Sequence, residues 1–170
     1  MNKKKPTIFN KRILIGISAL ILIGLSLYII LSMTPTVQNI ESDKEKISVI
    51  IDELMSALVA RDTDHAYGMF SPDARNDELR KSLTAMNDEV NYAVLDSYNR
   101  IEIVHLEIGP VFTLEFGGTL ARVDGIIYYT NDYTGEFSAE LVPNGQDWDL
   151  VSFHPRVPPT KYEEYLNREN

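Results

Sequence analysis

The sequence predicts an α+β protein: one N-terminal transmembrane helix, then a domain in which about three helices pack on one face of a curved antiparallel sheet. Three observations carry this expectation. Residues 13–33, ILIGISALILIGLSLYIILSM, hold no charge and no proline. Between residues 42 and 86 apolar side chains recur every three or four positions, the period of helices. From Tyr92 onward the period falls to two, and β-branched and aromatic residues dominate, as they do in strands. Helices first and strands after is the order of an α+β fold rather than of alternating βαβ units.

An α-helix needs about 20 apolar residues to cross a hydrocarbon core of about 30 Å. The run 13–33 supplies 21 before Pro35. Lys3, Lys4, Lys5, Lys11 and Arg12 precede the span, whereas Glu41, Asp43 and Glu45 follow it. The positive end stays inside, so residues 1–12 are expected in the cytoplasm and the remainder outside, in a single-pass protein of the cell membrane. A cleaved signal peptide is the rival reading. Its apolar core usually runs ~7 to 15 residues and ends in small residues, and Leu31-Ser32-Met33-Thr34 makes no Ala-x-Ala site. The chain has no cysteine, which excludes both a lipoprotein anchor and a disulfide framework.

Charge divides along the chain. The first 33 residues carry five basic and no acidic side chains, leaving 11 basic and 25 acidic beyond them, a net charge of −14. Such a domain is repelled by phosphate backbones, so nucleic acid is not an expected partner.

Residues 34–41 read as a linker, 42–155 as a single domain of ordinary size, and 156–170 as a C-terminal tail. Ser42-Asp43-Lys44-Glu45 fits a capping box, and Ile47, Ile50, Ile51, Leu54, Leu58 and Val59 then form one apolar stripe. That spacing predicts a helix over about 43–60. A second, short helix is expected at 65–70 before Ser71-Pro72, and a third near 77–86 with Leu79, Leu83 and Met86 inward. Strands are expected at about 93–108 with a break near 96–99, then at 111–116, 119–130, 135–142 and 148–153. The segments 131–135 and 143–147 are rich in residues that tolerate positive φ and read as hairpin turns.

The segment Leu58-Val59-Ala60-Arg61-Asp62-Thr63-Asp64-His65-Ala66-Tyr67-Gly68-Met69-Phe70-Ser71-Pro72 resembles the opening of nuclear transport factor two-like domains, where a small acidic turn precedes Ala-Tyr-x-x-Phe. Residues 137–141, a polar turn and then Trp148-Asp149-Leu150-Val151-Ser152-Phe153 resemble the last two strands of that superfamily. The likeness covers roughly residues 46–155 and is nearest to small bacterial members held to the membrane by one helix. It implies a cone-like bent sheet whose concave face is covered by the first helix, with a pocket at the open end. Some members of the superfamily are isomerases or dehydratases with an acid or histidine in that pocket, and many others are binding or dimerisation modules.

The histidines and pocket acids are where chemistry would lie. Asp62-x-Asp64-His65 could ligate a cation, although helix capping accounts for it more simply, and no metal is expected. His105 shares a period-two face with Ile103 and Glu107, and would serve as a base or hydrogen-bonding group if that face were concave. Asp124 shares a face with Arg122. Among the aromatics Tyr67, Phe70, Tyr128 and Trp148 are those expected nearest a helix-sheet cleft, where a hydroxyl or indole NH can serve a ligand. Together with His105 and Asp124 they form the candidate ligand-binding set. The sequence holds no nucleophile elbow, HExxH, glycine-rich phosphate loop or zinc-type cysteine spacing, and no cofactor or catalytic residue is assigned.

Two functions remain. One is a membrane-anchored extracytoplasmic module without catalysis, which binds a protein or small ligand through its cleft or outer sheet face and can pair as a homodimer. The alternative is a membrane-tethered pocket enzyme of the isomerase or dehydratase kind, which requires a histidine or acid inside a closed apolar cavity.

Overall fold

The computed structural model describes residues 37–112 and 117–169. The expected span at 13–33, the basic N-terminus and residues 113–116 of an expected strand lie outside the described residues. No described helix is long and apolar enough to cross a membrane. The chain divides into two units, Met1–Val37 and Gln38–Asn170, and the description below is of the second.

The architecture is α+β. Helix α1 (Val37–Val59) is followed by the short helices α2 (Thr63–Gly68) and α3 (Asp77–Ala85) and a 3-10 turn at Asn91–Val94. Then come four strands, β1 (Tyr98–Phe112), β2 (Gly117–Tyr129), β3 (Thr134–Asn144) and β4 (Asp147–Arg156), and a last helix α4 (Pro159–Glu169). The strands pair antiparallel in the order β1-β2-β3-β4, a simple meander.

Apolar periodicity places α1 as read from sequence. Ile47, Ile51, Leu54, Met55 and Leu58 are completely buried against the inner face of the sheet, where Ile101, Ile103, Ala121, Val123, Ile127, Phe137, Ala139, Leu141 and Leu150 complete one core. Burying a side chain of this kind stabilises by about 1.5–3 kcal/mol relative to exposure, so this stripe dominates the helix-sheet contact. The start of the helix differs from the expectation. It begins at Val37, so residues 37–41 of the expected linker are helical and Ser42 is not its cap. No glycine or proline lies between Val37 and Ser42 to stop the helix. Asp43 of the supposed cap and Lys46 just beyond it reach sideways instead. Trp148 Nε1 donates to Asp43 Oδ1 at 3.2 Å, and Lys46 Nζ donates to the Gln146 carbonyl at 2.6 Å.

The short helices are set by their caps. Asp62 Oδ1 accepts from the His65 amide at 3.0 Å, and Asn76 Oδ1 accepts from the Leu79 amide at 2.8 Å. Arg75 closes the other end of α2, donating to the Phe70 and Gly68 carbonyls at 2.7 and 2.6 Å. Phe70 also bridges Leu150 in parallel, covering part of the β4 edge.

The strand region departs from expectation in three places. Gly109 and Pro110 do not end the first strand: β1 runs through them to Phe112, joining the strand expected at 93–108 to the start of the one expected at 111–116. Ala93 and Val94 belong to the 3-10 turn, and both are buried, so β1 starts only at Tyr98. Within β1 the register shifts between Ile103 and His105, making Val104 an extra residue, a β-bulge. The bulge reverses the alternation: Ile101 and Ile103 are buried, Val104 is 63% exposed, and beyond it Leu106 and Ile108 pack against the core. His105 therefore does not share a face with Ile103, as simple period two implied. Both expected turns form, with Asp132 at φ 64° and Gly145 at φ 65°, values that asparagine, aspartate and glycine tolerate best.

The expected C-terminal tail is folded. Pro159 opens α4, a position that suits proline because the first helical NH needs no partner. Tyr165 is buried, and Lys161 is completely buried, its ammonium donating to the carbonyls of Ala93 and Asp96.

Candidate functional site

Helices cover the inner sheet face, and its side chains fill the core. Among the described residues the buried polar or charged side chains are Ser71 and Lys161. Each has an internal role: Ser71 Oγ accepts from the Ala74 amide at 3.4 Å, and Lys161 binds two carbonyls. The Lys161 ammonium also lies 4.0 Å from the centre of the Tyr129 ring. Burial lowers its pKa to about 8, against the opposing attraction of Asp96. Tyr129 donates to the Val94 carbonyl at 2.8 Å, and burial raises its phenol well above the usual range. Burial and a hydrogen bond to Asp52 do the same to Tyr98. No described histidine or carboxylate is buried on the inner face, where a pocket enzyme of the isomerase kind would need one.

The outer face of the sheet is different. Strand register lines up its side chains in transverse rows. One row runs His105, Asp124, Ser138, His154 across the four strands. The next runs Glu107, Arg122, Glu140, Ser152, and on the other side Glu102, Ile126, Glu136, Arg156. Directly opposed residues on one face have Cβ atoms about 4.5–5.5 Å apart, so these rows are contiguous polar strips. Arg122 Nε lies 3.4 Å from Glu140 Oε1. Arg100 lies 3.5 Å from Glu102 and sits over the Tyr128 ring at 3.8 Å, while the Tyr128 hydroxyl donates to Glu102 at 3.0 Å. Shallow grooves flank the histidine row. One of about 420 Å³ has Val104, Ile126 and Arg156 on its walls, and one of about 350 Å³ lies between Arg122, Asp124, Ser152 and His154.

Gly125 keeps the sheet closed behind these strips. A Cβ there would stand 2.3 Å from the Phe137 ring and 2.4 Å from the Glu102 carbonyl oxygen, so β1, β2 and the Phe137 side chain approach as closely as they do only with glycine.

The candidate residues separate onto two faces. His105 and Asp124 face each other on the outer side, and Tyr128 stands on that side too. Phe70 and Trp148 are in the core, and Tyr67 is half-buried against it with Arg80 over its ring at 4.3 Å. The six do not line one cleft. Asp62 caps α2, His65 pairs with Glu53 at 3.0 Å, and Asp64 pairs with Arg80 at 2.7 Å. Among the described residues no group of three or more histidine and carboxylate side chains is placed to hold a metal. Ser138 and His154 were not in the set expected from sequence. Their membership depends on cross-strand register, which a single sequence shows only once the hairpins are aligned.

Comparison with protein-family models, with curated proteins and with solved structures finds no match to this chain.

Proposed function

We propose that this chain is a membrane-anchored, extracytoplasmic, non-catalytic interaction module of the nuclear transport factor two-like kind, and that it works through the outer face of its sheet. The carrying observation is the asymmetry of the two faces. The inner face is spent on packing α1, while the outer face presents ordered rows of ionisable and hydroxyl side chains with an apolar strip at Val104 and Ile126. The superfamily reading, including a cone-like bend of the sheet, is supported by the order of helices before a meander and by the Phe70 bridge to Leu150. The anchor is supported by the apolar run at 13–33 and its basic flank.

A photo-crosslinking side chain at position 126, 138 or 154, in the full chain in its native membrane, tests the reading. Discrete adducts are expected from these positions and none from position 81, an exposed site on α3. Equal yields from position 81, or no adduct at all three outer-face positions, would remove the proposal.

A further inference from the structure

We infer that the free edge of β1 is a docking site for an extended segment of another protein, which adds a fifth strand to the four-stranded sheet beside residues 105–109. This contact lies at the edge of the sheet and stands independently of the outer-face reading. Its basis is the direction of the β1 backbone groups and the side chains that flank them.

Two hydrogen bonds at the end of β2 fix that direction. The Thr130 amide donates to the Ser97 carbonyl at 2.8 Å, toward β1, whereas the Tyr129 amide donates to the Tyr133 carbonyl at 3.1 Å, toward β3. Backbone groups alternate sides along an antiparallel strand, and β2 is unbroken in both of its ladders. Asp124, Arg122 and Leu120 therefore turn theirs to β1, and Val123 and Ala121 turn theirs to β3. Leu106 and Ile108, opposite Val123 and Ala121, point their N–H and C=O groups away from the sheet. Among the described residues no backbone group meets them. Pro110 has the same parity, which suits a residue with no N–H to give the ladder. The β4 edge differs: the Leu150 amide donates to the Met69 carbonyl at 3.1 Å, and the Leu150 carbonyl accepts from the Ser71 amide at 2.7 Å.

Alternating donors and acceptors along an edge are satisfied by another extended backbone, the chemistry of strand addition. Side chains define what that strand carries. Leu106 and Ile108 pack against the core but are only partly buried, so apolar side chains opposite them would complete the inner face. Glu107 is exposed and belongs to no ion pair among the described residues. Opposite charges across strands stabilise, so a lysine or arginine is favoured opposite it. The net charge of −14 beyond residue 33 attracts a basic segment in the same sense.

Two features set the length of the site. The bulge at Val104 ends it on one side and Pro110 on the other, and both are devices that keep an edge strand from pairing without limit. The run between them, residues 105–109, has an ordinary strand length. The same edge of a second copy fits poorly, because antiparallel pairing over the whole run sets Glu107 against Glu107, and like charges directly opposed destabilise.

In the test, the isotope-labelled full chain in nanodiscs of zwitterionic lipid is titrated with the end-blocked peptide Thr-Val-Lys-Val-Thr. The peptide reads the same in both directions and places its lysine opposite Glu107. Saturable shifts in the amide spectrum are expected at millimolar peptide, largest at Leu106 and Ile108. Ile108→Pro removes one outward N–H while leaving the bonds to β2 and every charge in place, and should weaken binding about tenfold. Glu107→Lys should reverse the preference, so that Thr-Val-Glu-Val-Thr binds more tightly than the lysine peptide. Where Ile108→Pro collapses the spectrum by unfolding the chain, the Glu107→Lys reversal decides. No saturable shift, or shifts spread over the acidic surface and indifferent to Glu107→Lys, overturns the proposal. Shifts at Leu106 and Ile108 that grow with the concentration of the chain itself and exclude the peptide overturn it too, in favour of a second copy. Photo-adducts from positions 126, 138 and 154 do not depend on the peptide result, so the two readings fail separately.

Discussion

Lys161 is the residue whose environment contrasts most with its type. Lysine is almost never fully buried without partners, and no sequence signal separates this lysine from its exposed neighbours in KYEEYLNREN. It is buried because the 3-10 turn leaves the Ala93 and Asp96 carbonyls needing donors, and α4 brings an ammonium to them. Burial lowers its pKa from 10.5 to about 8. Between those two values the unfolded chain keeps a proton that the folded chain has released. Stability therefore rises with pH across this window, by up to about 1.4 kcal/mol per pH unit. Tyr129 and Tyr98 act in the opposite sense: their raised pKa values mean that folding loses stability once unfolded tyrosines ionise above about 10. Urea midpoints should thus climb from pH 8 to about 10 and then level or fall. Lys161→Met should lose the climb, and should cost about 1–3 kcal/mol for the carbonyls left without a donor. A wild-type profile already flat from pH 8 to 10 would contradict the assignment.

At the scale of elements, the sequence was most legible where hydrophobic period and cap chemistry agree. The stripe from Ile47 to Leu58 located the buried side of α1; α2, expected at 65–70, lies two residues earlier at Thr63–Gly68, directly behind the Asp62 cap. It was least legible where one residue changes parity. The Val104 bulge cannot be read from Ile103-Val104-His105-Leu106, since both halves look like regular strand on either side of it. The start of α1 was misplaced for a related reason: Ser42-Asp43-Lys44-Glu45 has cap composition, but a cap pattern is silent when the preceding turn is already helical. The outer-face rows became visible only through pairing. If Val104 is an inserted residue, excising it joins Ile103 directly to His105 with inward and outward side chains still alternating. The deletion should therefore fold, with a change in melting temperature of a few degrees, about what 1 kcal/mol produces in a domain of this size. Excising Val123 instead, from a regular stretch of β2, would turn every residue on one side of the cut to the wrong face and should prevent folding. Equal damage from the two deletions would show that the bulge is not a tolerated insertion.

For the whole molecule, the proposed anchor makes the decisive quantity which side of a membrane the sheet faces. The domain beyond residue 33 carries a net charge of −14, and the five basic residues of the N-terminal 33 all precede the apolar run. In the proposed topology that run crosses the bilayer with its basic flank on the cytoplasmic side. The same proposal puts the acidic domain outside, where anionic lipid would repel it. The proposed interaction depends on this geometry, since confinement to a plane raises the encounter rate of a weak contact. The absence of cysteine makes the orientation directly readable. Lys81→Cys, on the exposed side of α3, should react with a membrane-impermeant maleimide added to intact cells, while Lys3→Cys should react only after lysis. Both chains should stay in the membrane pellet after alkaline carbonate extraction. The reverse labelling pattern would invert the topology, and release of the chain by carbonate would eliminate the anchor and with it the planar confinement of the proposed interaction.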